Sequence, residues 1–278
     1  MGAILDAVPT LATLAEALAP LRDDPAGSAI LLDVDGTLAP IVPKASDAQV
    51  TEATRGMLVE IARRYRIVAC VSGRPAAVAR EIVAIDSIAY VGNHGCERLD
   101  PGAAGVVLDP EVAPWIEKVR AFAGAAETAE LARLGVRGED KGPIAGFHWR
   151  GAPDDDAALA AVQEIESRAL ADGFDVHWGR KVLEVRPPLP IDKGRGVAGL
   201  LAPSARGVPP AGGIAQGLYM GDDETDVDAF RGLRQAVGGG AVCIGVRSEE
   251  TPARLEREAD LLVDGEAGVR EVLETLLR

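Results

Sequence analysis

Apolar residues along this chain fall into two alternating patterns. Ala29-Ile30-Leu31-Leu32 is a short unbroken apolar run ending at Asp33, which predicts a buried parallel strand delivering its last residue to the carboxyl edge of a sheet. Helical spacing follows over about 47–64, then an apolar run at 67–71, helical spacing over about 75–84 and a run at 88–91. That is βαβαβ grammar. Far downstream, 217–220, 241–246 and 260–263 are runs of the same kind, with helical pattern between and after them. The pattern predicts one sheet interrupted by an insert.

A leading helix is expected from about Pro9, where Leu11, Leu14 and Leu18 stand at helical spacing and Pro20 and Pro25-Ala26-Gly27 end the pattern. The insert, from about Asp109 to Pro188, has a different texture. An Ala-rich helix is expected around 114–134, strands near 136–141 and 144–150, a helix near 155–171, and strands near 174–178 and 181–186. This is an αββαββ layer with one sheet face left to meet the core. Pro187-Pro188-Leu189-Pro190 reads either as a stiff hinge or as a Pro-rich surface loop. The expected division is therefore a discontinuous core, 1–108 (with 1–27 as the leading helix) and 189–278, around an inserted unit at 109–188.

Composition narrows the partners. The 278 residues are 47% hydrophobic, ample for a buried core, and a net charge of −14 gives no general attraction to nucleic acid or anionic lipid. An anionic substrate must find a locally positive site. Cys70, Cys96 and Cys243 are widely spaced and odd in number, which suggests neither a disulfide framework nor a zinc site and fits a reducing cytoplasm. No apolar run reaches the roughly 18 residues that span a membrane, and no obligatory protein partner is evident.

Four short segments at predicted strand ends or helix starts hold what phosphoryl transfer needs. In Asp33-Val34-Asp35-Gly36-Thr37, two carboxylates two residues apart reach one site if the backbone turns at once, and Gly36 permits that turn. Asp33 is the expected nucleophile, effective when a metal and a cation neutralise the phosphoryl oxygens. Asp35 is the expected acid and base for the leaving sugar oxygen and the attacking water. Ser72-Gly73 follows a strand and opens a helix, a place for a phosphate oxygen. Lys193, before Gly194, is placed to hold both Asp33 and phosphate. Asp222, Asp223 and Asp226 follow the strand ending at Met220 and are hard oxygen donors that suit Mg²⁺. Taken singly, each string is a common acidic turn or helix cap; their joint order carries the argument.

These four segments, with a long insert between the second and third, resemble the haloacid dehalogenase superfamily of aspartate-nucleophile phosphatases. The likeness narrows further. L-L-D-V-D-G-T-L-A-P-I from Leu31, N-H-G-C-E from Asn93, E-D-K from Glu139, H-W-R from His148, K-V-L-E-V-R-P from Lys181 and G-D-D-E-T-D resemble the trehalose-6-phosphate phosphatases over about 29–278. The resemblance implies a Rossmann-like α/β core with a parallel sheet, a mobile α/β cap, Mg²⁺ as cofactor, and hydrolysis of the small sugar phosphate trehalose 6-phosphate to trehalose and inorganic phosphate; a phosphatase for sucrose phosphate or a glycosyl-glycerate phosphate, or a phosphomutase, is the alternative.

Carried over residue by residue, it implies Asp33 as nucleophile, Asp35 as acid/base and main-chain metal ligand, and Asp222 as metal ligand. Asp223 and Asp226 would be outer-shell support, and Ser72 and Lys193 would bind phosphate. For the sugar it implies Glu139, Lys141, His148, Arg150, Lys181 and Glu184 on the insert, with His94 and Gly95 on the core. Strand alternation puts His148 and Arg150 on one face. Lys181 and Glu184 have opposite parity, so either a bulge or loop start unites them or one faces away. Trp149 stands where the family often has tyrosine, and Val227 where an acid is common.

Overall fold

The computed structural model describes residues 13–42, 47–179, 181–202, 213–249 and 251–278. Its larger sheet is centred on β1 (Ser28–Leu32), flanked by β10 (Gln216–Gly221) and β2 (Ile67–Val71). Outward from β10 come β11 (Ala241–Arg247) and β12 (Leu261–Asp264). Outward from β2 come β3 (Ala89–Gly92), β4 (Glu97–Leu99) and β5 (Val107–Leu108). The six strands from β12 to β3 are parallel; β4 and β5 turn back antiparallel.

Each apolar run is unbroken because both faces of its strand are covered. Ile30 and Leu32 of β1 pack with α1 (Leu14–Asp23), α2 (Glu52–Arg64), α3 (Ala76–Val83) and α10 (Gly265–Leu277). Ala29 and Leu31 face α7 (Lys193–Leu201), α8 (Glu224–Val237) and α9 (Ala253–Glu258). A three-layer α/β/α sandwich results, with β1 in the middle and its end at Asp33 on the carboxyl edge, where open α/β sheets gather ligands.

The second sheet comes from chain between β5 and α7. Its order is β6 (Arg137–Asp140), β7 (Ala145–His148), β9 (Val182–Arg186), β8 (Asp175–Gly179), antiparallel throughout. Phe147, Leu183 and Val185 bury one face against α4 (Ile116–Ala126) and α6 (Asp155–Ala171), with Val119, Phe122, Val162 and Ile165 on the helices. The other face carries Glu139, His148 and Glu184. A small apolar cluster of Cys96, Val112, Ile144, Leu189 and Ile191 joins the two layers where the chain passes between them.

Three expectations are corrected. Pro20 lies inside α1 rather than ending it, and Pro9 is outside the described residues. An interior proline costs about 3 kcal/mol, but burying Leu18 and Leu21 completely contributes about 1.5–3 kcal/mol each. The single helix expected over 114–134 is divided: α4 ends at Ala126, Glu127 is extended, and Thr128 caps α5 (Ala129–Arg133). The helix expected from about residue 47 begins at Glu52, with the hydroxyl of Thr51 accepting from the Thr54 amide. Around Pro187–Pro190, the Leu189 amide donates to the Pro187 carbonyl at 2.8 Å and that of Ile191 to Leu189 at 2.7 Å, so this return segment is tightly turned.

Candidate active site

Parallel register puts the ends of β1 and β10 level, and the Asp33 amide donates to the Met220 carbonyl at 2.9 Å. Asp33 therefore meets Asp222 across one strand spacing. Between them Gly36, at φ +85°, leaves no side chain; a Cβ there would stand 2.1 Å from a carboxylate oxygen of Asp222. Asp222 in turn accepts from the Thr37 hydroxyl at 3.2 Å.

Lys193, the first residue of α7, is buried beneath this pair. Its ammonium donates to Asp33 Oδ1 and Asp226 Oδ1, each at 2.7 Å. Burial opposes that charge, but Asp226 and Asp33 outweigh it and hold the ammonium protonated. Burial raises the Asp33 carboxyl well above its ordinary value despite Lys193. It also pushes Asp222 up to about 7 and Asp226 up to about 6, with neighbouring acids adding to the effect. Three buried carboxylates face one ammonium, a set short of positive charge.

Oxygens of Asp33, Asp222 and Asp226 lie within 4.8 Å of one another, so this donor set fits a hard cation. The three are not equivalent. Asp226 already accepts from Lys193, from the Tyr219 hydroxyl at 2.7 Å and from the amides of Asp222 and Asp223 at 2.9 and 3.0 Å. Its four donors leave it a fixed anchor for Lys193 and the loop. Asp223 caps α8, accepting from the amides of Thr225 and Asp226 and from the Thr225 hydroxyl. Burial works against its ionisation, yet Lys193 and these hydrogen bonds bring its carboxyl down to about 2. Asp33 and Asp222 remain the carboxylates with oxygens to spare. Val227 is fully buried in the apolar cluster with Phe230 and Leu233.

Asp35 is held by Arg74, whose Nε and Nη2 each donate to one of its oxygens at 2.6 Å. Sequence reasoning passed over Arg74, although S-G-R at a strand end puts its guanidinium beside the D-x-D loop. The buried Ser72 hydroxyl accepts from the Arg74 amide at 3.1 Å. Gly73 lies under the His94 ring; a Cβ there would be 2.6 Å from it.

Across from this edge stands the polar face of the second sheet. Glu184 is buried between cations: it accepts from Lys141 Nζ at 2.8 Å and from Arg186 Nε at 3.1 Å, and His94 Nε2 lies 3.7 Å away. Burial resists its ionisation, but Lys141 and Arg186 hold the carboxyl far below the usual range. Burial lowers His94 to about 3, against the pull of Glu184, so its imidazole is neutral. The Asn93 side-chain Nδ2 donates to the Lys141 carbonyl at 2.9 Å, tying the turn after β3 to the second sheet. His148 Nε2 is 2.7 Å from Glu139 Oε2, and that hydrogen bond lowers the Glu139 carboxyl.

The structure thus unites His94, Glu139, Lys141, His148 and Glu184. Lys181 is elsewhere: at φ +62° before β9, it pairs with Asp155 of α6, so of the two arrangements its parity allowed, it faces away. Lys141 takes the place beside Glu184. Arg150 lies exposed in the turn beyond β7 rather than on the strand, its carbonyl accepting from Arg137. Gly95 serves packing: a Cβ would strike the Asp192 carbonyl and Gly196 at the start of α7. Trp149 is buried edge-on to Trp178 at 5.8 Å, on the helix side.

The fold is that of the haloacid dehalogenase-like hydrolases. One such hydrolase from Bacteroides thetaiotaomicron superposes with a TM-score of 0.57 at 17% identity over 89% of this chain and 98% of its own. A sequence model of the trehalose-phosphatase family matches residues 31–261, and the chain belongs to that family. It is 32% identical over 248 residues to "Probable trehalose-phosphate phosphatase 9" of Oryza sativa, covering 81% of this chain and 64% of the relative. The Aspergillus fumigatus trehalose-6-phosphate phosphatase superposes with a TM-score of 0.63 at 25% identity, covering 95% and 96% of the two chains. This chain spans about three fifths of the length of the first curated relatives it matches.

Proposed function

We propose that this protein is a Mg²⁺-dependent phosphatase that hydrolyses trehalose 6-phosphate to trehalose and inorganic phosphate through an aspartyl-phosphate on Asp33. The observation that carries this reading is the buried Lys193 ammonium 2.7 Å from Asp33, at a strand end opposite the polar face of the second sheet. Family membership supports trehalose as the sugar.

Asp33 Oδ2, the oxygen not engaged by Lys193, attacks phosphorus while Lys193 and the helix start at Ser72-Gly73 bind phosphoryl oxygens. Asp35, aimed by Arg74, gives a proton to the departing sugar oxygen and later takes one from the water that attacks the phospho-enzyme. Asp33, Asp222 and the main-chain carbonyl of Asp35 would hold Mg²⁺, which supplies charge neutralisation at the phosphoryl group. Asp226 fixes Lys193, and Asp223 fixes the loop by capping α8.

Residues 109–188 act as a cap over the core formed by 1–108 and 189–278. Glu139, Lys141, His148 and Glu184 from the cap, with His94 from the core, meet sugar hydroxyls. Lys181, paired with Asp155, stands outside this group. The substrate is a small molecule, and a reducing cytoplasm suits the three free, buried cysteines Cys70, Cys96 and Cys243.

Phosphate release with Mg²⁺ across a panel of trehalose 6-phosphate, sucrose 6-phosphate, glucose 6-phosphate and a glycosyl-glycerate phosphate tests the reading. Trehalose 6-phosphate is expected to have the highest kcat/KM. A clear preference for another member would sink the substrate assignment and leave the phosphatase chemistry standing.

A further inference from the structure

Four residues form one transverse row on the polar face of the second sheet. Glu139 of β6 is paired with Gly146 of β7, Gly146 with Glu184 of β9, and Glu184 with His177 of β8. Directly opposed residues project from the same side of an antiparallel sheet. The row covers three strand spacings of about 4.8 Å, roughly 14 Å from end to end, long enough for two pyranose rings laid across it.

The two ends of the row overlook different parts of the core. Glu139 acts electrostatically on the Arg74 guanidinium that holds Asp35, and His177 feels Asp223 at the start of α8, while Glu184 between them lies 3.7 Å from His94, whose ring covers Gly73. A ligand lying along the row therefore spans the mouth of the Asp33 site. Gly146 keeps the interval between Glu139 and Glu184 low; a Cβ there would come 3.0 Å from His148 Nε2 and 3.5 Å from Glu139 Oε2.

Along this row the polar side chains differ in one respect. Glu139 is engaged by His148, and Glu184 by Lys141 and Arg186. His177 is exposed and its ring makes no hydrogen bond among the described residues. Although its ring meets solvent, its surroundings are dense enough that burial, with Arg186, lowers its pKa and favours the neutral imidazole. A neutral imidazole has one N–H donor and one acceptor nitrogen, the pair a sugar hydroxyl can use.

We infer that His177 is a specificity-determining residue, hydrogen-bonding a hydroxyl of the bound sugar at the β8 end of the row. The sugar then lies across the sheet from Glu139 to His177, with Glu184 between. The inference rests on the proposed function only for the choice of sugar phosphate; the row and the free imidazole stand without it.

The test compares kcat/KM on trehalose 6-phosphate with kcat/KM on p-nitrophenyl phosphate, which has no sugar hydroxyls, for wild type, His177→Ala and His177→Asn. The ratio is expected to fall about tenfold in His177→Ala, the loss of one hydrogen bond, and to recover in part in His177→Asn, which keeps a donor and an acceptor. A ratio within about twofold of wild type, or an equal loss on both substrates, would overturn it. If wild type prefers a different sugar phosphate, the substrate assignment has failed and the same ratio is taken on the preferred one. Should turnover be absent altogether, calorimetric titration with trehalose replaces it, and equal affinity in wild type and His177→Ala would be the contrary result.

Discussion

Lys193 and Asp226 are bound through a single carboxylate oxygen, 2.7 Å from the ammonium, that also accepts the Tyr219 hydroxyl. The anchor for Lys193 is therefore itself held from below, and the ammonium is left to share its remaining protons between Asp33 and a phosphoryl group. Lys193→Met is expected to abolish turnover. It also leaves two buried carboxylates without their cation, a loss of about 3–5 kcal/mol. Thermal melts should show a large fall in Tm, smaller with Mg²⁺ present because the cation restores part of the missing charge. An unchanged Tm would mean that the pair is not buried as described.

Arg74 aims Asp35 through two hydrogen bonds that a lysine cannot reproduce. Arg74→Lys should lower kcat on trehalose 6-phosphate by about a hundredfold, the lower range for a misplaced general acid. Because the two residues act as a unit, Arg74→Lys should add little to Asp35→Asn. Steady-state kinetics of the four proteins decide it; multiplicative losses would separate Arg74 from Asp35.

Much of this was legible in the chain. Buried parallel strands are unbroken apolar runs, so Ala29–Leu32 and 67–71 could be placed along with the acids at their ends. Residues that act through a partner distant in sequence were not. Arg74 is 39 positions from Asp35 and Lys141 is 43 from Glu184; no local pattern relates them. Lys181 was judged by the string around it, whereas its left-handed backbone sends the side chain to Asp155. Tyr219 reads as an ordinary strand residue because its ring packs against Phe230; only its hydroxyl, reaching Asp226, belongs to the site. His177 is hidden in an exposed strand of weak alternation and is brought into the row only by pairing with β9.

Glu184 gives a pH dependence with a definite sign. Its folded pKa is depressed below the ordinary 4.5 by Lys141 and Arg186, so its stabilising contribution is fully present above that value and is lost as pH falls through the folded pKa. The difference in Tm between wild type and Glu184→Gln should be constant from pH 5 to 8 and shrink only well below pH 4.5. A difference that already collapses near pH 6 would show that Glu184 is not held ionised by these cations.

Covalent transfer of the phosphoryl group to Asp33 can be tested directly. Wild type and Asp33→Asn, each with Mg²⁺ and trehalose 6-phosphate, are quenched in acid within a turnover and their peptides weighed by mass spectrometry. Asn is nearly isosteric but carries no nucleophilic charge. The account predicts a phosphoryl increment on the wild-type peptide containing Asp33, none on the variant, and no phosphate release by a variant that keeps the wild-type circular dichroism. Sustained phosphate release by Asp33→Asn, or an increment on another residue, would contradict it.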